Sequence, residues 1–122
     1  MLVLVCVVQS ARFETVRAQE ASTPTGSTPI VSDPLVLVPT GAVWKYLDDG
    51  SNQTVDWRAP GFDDASWAEG PAALGYGDGD EATVVDFGPD DQAKFPTTYF
   101  RHTFTVNDAS ALTNFLVRVV RD

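Results

Sequence analysis

The residues of this chain that have chemistry to offer are mostly carboxylates. Asp78-Gly79-Asp80-Glu81 places three hard oxygen donors on a glycine-bearing loop, a set that suits calcium. The spacing departs from the EF-hand pattern, because Ala82 stands at the fifth position and no glycine follows at the sixth. A solvated acidic loop is the competing reading. Asp63 and Asp64 stand just before Trp67 and could meet a cation or a sugar hydroxyl. Adjacent aspartates more often cap their own backbone in an Asx-type turn, which here would fix Trp67 in the core. A glycosidase acid–base pair needs carboxylates facing one another across about 5–9 Å, which neighbours on one turn do not supply.

Trp44, Trp57 and Trp67 offer either stacking platforms for a sugar ring or plugs for a small core, and the second use is the more common. Trp57 heads the ligand candidates, since Arg58 and a Pro60-Gly61 turn flank it; Tyr76, between Gly75 and Gly77, is the next. His102 is the only histidine and Cys6 the only cysteine, so neither an intrachain disulfide nor a Cys/His zinc site can be built. By parity His102 falls between Phe100 and Phe104, a packing position, and no Gly-x-Ser-x-Gly nucleophile motif is present. No catalytic residue is assigned.

The chain has 122 residues and a net charge of −9, and the charge is uneven. From Asp48 to Asp91 the sole basic residue is Arg58, set among acids. Nucleic-acid binding, which needs Lys and Arg along a groove, is excluded. Cations, neutral sugars or plain solubility remain as reasons for the acid.

These residues must be held by short strands. Leu2–Val8 is an apolar run too short for a bilayer span of about 20 residues. With Val16-Arg17-Ala18 as a cleavage pattern before Gln19, residues 1–18 read as an export signal. A buried strand is the alternative, though no turn or partner strand near Gln9–Glu20 supports it. Ser22–Pro29, eight consecutive Ser, Thr, Pro and Gly residues, makes 19–37 a linker. Strands are expected at Leu35–Val38, Val43–Leu47, Thr83–Phe87 and Thr98–Val106, with alternating faces in the last. Phe115–Val120, apolar on both faces except at Arg118, predicts a central strand. At most one helical turn is expected, around Asp108–Leu112, with Asp108 or Ser110 as cap. The class is all-β, most simply a sandwich.

The set Trp44-x-Tyr46, Trp57, Phe62-Asp63-Asp64-x-Ser66-Trp67, Gly70-Pro71, Leu74-Gly75-Tyr76-Gly77 and Thr98-Tyr99-Phe100-Arg101-x-x-Phe104 resembles a galactose-binding-domain-like jelly roll. Such modules sit in secreted bacterial proteins beside metallophosphoesterase, CotH-kinase-like or glycoside hydrolase domains. The set is also similar to the sugar-binding domain of family 2 glycosidases. The resemblance spans residues 38–122. It implies a non-catalytic accessory module, secreted or at the cell surface, that binds carbohydrate or docks beside a catalytic domain outside this chain. It also allows a purely structural spacer, or a fragment of a secreted phosphoesterase or glycosidase. By resemblance, Phe62, Asp63, Asp64, Trp67, Tyr99 and Arg101 form the structural motif; from residue type alone, Arg101 is expected to make a structural ion pair with an acidic turn such as Asp63 or Asp64. A structural calcium at Asp78, Asp80 and Glu81 is implied in the same way. In that family a strand like Phe115–Val120 runs on into an Asp-Gly turn and further strands. The expectation is therefore a sandwich cut before its closing strands, with Phe115, Val117 and Val119 on an uncovered face. No nucleic acid and no membrane span in the mature chain are expected.

Overall fold

The computed structural model describes residues 2–7, 12–20, 35–77 and 79–120. Nine strands and two single 3-10 turns make up the described residues, so the all-β class holds. The strands are β1 (Leu2–Val7), β2 (Arg12–Glu20), β3 (Leu35–Val38), β4 (Val43–Leu47), β5 (Ala68–Pro71), β6 (Leu74–Gly75), β7 (Thr83–Val84), β8 (Tyr99–Phe104) and β9 (Leu112–Val120). They form a four-stranded sheet in the order β1-β8-β4-β5, a three-stranded sheet β3-β2-β9, and a short parallel pair β6-β7. Every pairing in the two larger sheets is antiparallel.

The main core draws one buried side chain or more from each sheet: Val38 on β3, Trp44 on β4, Leu74 on β6, and Phe100 and Phe104 on β8. Alternation along β8 puts Phe100 and Phe104 into this core, with His102 half-buried between them. The opposite face of the same strand is buried only at its start. Tyr99 enters a second cluster with Trp57 and Trp67, and Arg101 is 2% exposed, whereas Thr103 and Thr105 face water. A loop covers that end: the 3-10 turn Val55–Arg58 and the segment up to Trp67 lie over it. Burying a large side chain there contributes about 1.5–3 kcal/mol, which accounts for a loop without a sheet of its own keeping one shape.

Two expectations change. Thr83–Phe87 shortens to Thr83–Val84, because the backbone N–H of Asp86 donates to Asp48 Oδ2 (2.6 Å) and that of Gly88 to Asp86 Oδ1 (2.7 Å) rather than to a neighbouring strand. Phe115–Val120 belongs to a longer strand, β9, that lies at the edge of its sheet, not the centre. Phe115 is 52% and Leu116 65% exposed, so an apolar run on both faces did not mean burial on both faces. The Asp108 turn forms over Ala109–Ala111, its carboxylate accepting from the Ser110 backbone N–H at 2.9 Å. The span read as an export signal carries β1, paired with β8, and most of β2, which lies between β3 and β9. The partners of β2 are distant in sequence, and for that reason local inspection of Gln9–Glu20 finds none. Much of the linker, residues 21–34, lies outside the described residues.

Candidate functional site

A shallow cleft of about 480 Å³ opens beside the second aromatic cluster, lined by Gln53, Thr54, Val55, Trp57, Arg58, Thr97 and Tyr99. Its wall is the 3-10 turn Val55–Arg58, and its base is the start of β8. The turn is fixed from below by Arg101. That side chain donates from Nε to Asp64 Oδ2 at 2.8 Å and from Nη1 to the Trp57 carbonyl, with the Ala59 carbonyl also in reach at 3.4 Å. Its guanidinium carbon lies 5.1 Å from the Phe62 ring centre. One cation thus gathers the C-terminal end of the turn and the acidic corner.

Asp63 and Asp64 divide the labour at that corner. Asp63 Oδ1 accepts from the Ala65 backbone N–H at 3.0 Å, an Asx turn, while Asp64 takes the arginine and its carbonyl accepts from the Trp67 N–H. Phe62 meets Trp67 edge-on with centroids 5.8 Å apart. These aspartates serve the loop's own backbone and Arg101.

The aromatic base is closely packed. Trp57 stacks against Trp67 at 6.3 Å and meets the edge of Tyr99 at 4.8 Å. Trp57 and Tyr99 are each 5% exposed, so Trp57 presents a floor and not a free stacking face. The Tyr99 hydroxyl accepts from the Gln53 backbone N–H at 3.0 Å and donates to Asn52 Oδ1 at 3.2 Å, tying the cleft's rim to its base. The groups turned to solvent are therefore the polar rim: Gln53, Thr54, Thr97 and Arg58. Thr54 caps the 3-10 turn by position without a side-chain hydrogen bond, so its hydroxyl is unspent.

Among the sequence candidates, Trp57 and Arg58 come together in this cleft and Tyr76 does not line it. The Tyr76 ring packs on Phe87 with centroids 4.9 Å apart, and Lys94 Nζ sits 4.7 Å from its centre. Asp78 lies outside the described residues. Glu81 turns inward on its own loop, accepting from the Gly79 backbone N–H at 3.0 Å, and Asp80 is exposed. Among the described residues no three His, Cys, Asp or Glu side chains gather as a metal-binding group. His102 Nδ1 lies 2.8 Å from the Val43 carbonyl, which can only accept, so that nitrogen carries the proton. Its ring packs against Trp44 at 5.0 Å, a sheet-packing role.

Gln53 and Thr54 belong to an Asn52-Gln53-Thr54 glycosylation sequon, but neither they nor Thr97 were read from sequence as ligand contacts, since the residues leading into the turn meet Thr97 only through the fold. No helix among the described residues is long and apolar enough to cross a membrane. The chain matches no protein-family model, no curated protein and no solved structure.

Proposed function

We propose that this chain is a non-catalytic accessory module of a secreted or cell-surface protein, a jelly-roll-type β-sandwich that binds carbohydrate through the Trp57–Tyr99 cleft. One observation carries the reading. The cleft combines an aromatic floor with a rim of amide, hydroxyl and guanidinium groups, and hydroxyl-rich ligands are recognised by convergent polar groups of this kind above apolar surface. The export pattern in residues 1–18 and the Ser/Thr/Pro run support the extracytoplasmic setting. The resemblance supports a neighbouring catalytic domain as the partner, and a calcium ion at Asp78, Asp80 and Glu81 belongs to the same proposal.

The test is retention of the purified chain on a panel of immobilised polysaccharides, beside a variant carrying Thr54→Ala and Thr97→Ala. Losing two hydrogen bonds weakens binding by roughly 10-fold or more. Retention by no polysaccharide on the panel would discard the reading. A structural spacer is then the better account, and one observation already favours it: all three Trp side chains are buried, leaving no free stacking face.

A further inference from the structure

We infer that the ligand of this cleft is an acidic saccharide, a uronic-acid-bearing oligosaccharide whose carboxylate is received by Arg58. The inference rests on the carbohydrate reading and narrows it. Three features of the structure lead to it.

The first is the state of the cations. Between Leu35 and Leu112 the basic side chains are Lys45, Arg58, Lys94 and Arg101. Lys45 pairs with Glu69 at 2.9 Å, Arg101 with Asp64 at 2.8 Å, and Lys94 covers the Tyr76 and Phe87 rings. Arg58 makes only a long contact from Nε to the Val55 carbonyl, 3.4 Å, back within its own turn. Among the described residues it has no carboxylate partner, although the surrounding sequence is dense in acids. That contact leaves the two terminal nitrogens of the guanidinium fork without a partner.

The second is where the acids are not. The chain holds 17 acidic residues, yet none lines the cleft. Asp56, on the same turn as Arg58, is exposed and does not line the cleft, and Asp63 and Asp64 are committed to Ala65 and Arg101. Among the residues that line the cleft, an anion entering here meets a cation and no carboxylate.

The third is geometry of recognition. A planar fork accepts a carboxylate through two parallel hydrogen bonds, a match that a lysine ammonium lacks. Around it, the Thr54 and Thr97 hydroxyls and the Gln53 amide oxygen offer partners for sugar hydroxyls; the Gln53 amide nitrogen is already given to Ser51 Oγ at 2.8 Å. A carboxylate set among ring hydroxyls is the ligand with both halves of that pattern.

The experiment compares oligogalacturonate with its methyl ester, which keeps every ring hydroxyl and removes only the charge. Both are titrated by calorimetry into the full chain and into Arg58→Gln and Arg58→Lys variants, after thermal melting has shown the variants folded. The expected result is that the acid binds roughly 10- to 100-fold more tightly than the ester, the difference expected of a charge-assisted pair. The preference vanishes in R58Q and is only partly kept in R58K. Equal binding of acid and ester would overturn the role of Arg58 while leaving the carbohydrate reading in place. A preference for the acid that survives R58Q would also overturn it. Binding of neither, together with no retention on any neutral polysaccharide, would remove both.

Discussion

Arg101 is the residue on which the site's shape turns. Its charge is buried against a half-buried carboxylate and two backbone carbonyls, so its removal strands acceptors as well as an anion. Replacing Arg101 by Ala should cost about 3–5 kcal/mol in urea unfolding and shift tryptophan emission to the red as Trp57 and Trp67 are wetted. Asp64→Asn should cost less, because both carbonyls remain; equal midpoints for the wild type and R101A would refute the account. Asp49 provides a milder case. The Ser51 side chain and backbone N–H both donate to its carboxylate and hold its pKa below the ordinary 3.8. A carboxylate lowered on folding stabilises the fold fully above the unfolded value, and that contribution fades as pH falls through the folded one. The Asp48–Asn52 turn should therefore loosen only below about pH 4, and Asp49→Asn should flatten that dependence in an NMR titration of the Ser51 amide. At this scale the sequence was informative: the turn at Asp63-Asp64 and the pairing of Arg101 with an acidic corner follow from residue type. What it did not disclose is that Trp57 would spend its faces on Trp67 and Tyr99, because stacking partners are chosen by the fold.

At the scale of elements, loops are set by close approaches that a strand pattern does not announce. Gly50 has φ of 74°, and a Cβ there would meet the Phe95 ring at 2.5 Å; Gly41 has φ of 79° with open space around it. Both pay the cost of a left-handed backbone when mutated, about 1–2 kcal/mol. Gly50→Ala adds the collision, so it should destabilise by about 1–3 kcal/mol more than Gly41→Ala. Matching losses in chemical denaturation would show that Phe95 gives way freely. The strand β9 carries a different prediction. It lies at a sheet edge among the described strands, with Phe115, Val117 and Val119 each at least 40% exposed, and such an edge invites further pairing. Val117→Lys should lower light scattering of concentrated solutions, since an inward or edge charge blunts that pairing. The strands β3, β4 and β8 were legible because alternation and turn residues bound them. The position of β9 was not, since apolar residues on both faces describe a central strand and an uncovered edge equally well.

For the whole molecule the decisive question is what residues 1–18 are for. As a sequence they read as an apolar run with a cleavage pattern. In the structure the backbone of Leu2–Val7 pairs with all of β8, from Leu2 against Phe104 to Val7 against Tyr99, and β2 lies between β3 and β9. One molecule cannot both keep these pairings and lose the segment. Starting the chain at Gln19 would bare the β8 edge beside the main core and leave β3 and β9 without the strand that joins them. Backbone groups that lose their ladder must be rehydrated or left unsatisfied, so the shortened chain should melt at a lower temperature and less cooperatively than the full one. Faster amide exchange should concentrate in β3, β8 and β9, the strands whose partners have gone, and spare the Arg101 loop, which does not touch β1 or β2 by any hydrogen bond described. If the two chains instead melt alike, the pairings of β1 and β2 add nothing to stability. The segment is then free to act as an export signal, and the core of β4, β6 and β8 closed by the Trp57–Trp67 loop is the unit that folds.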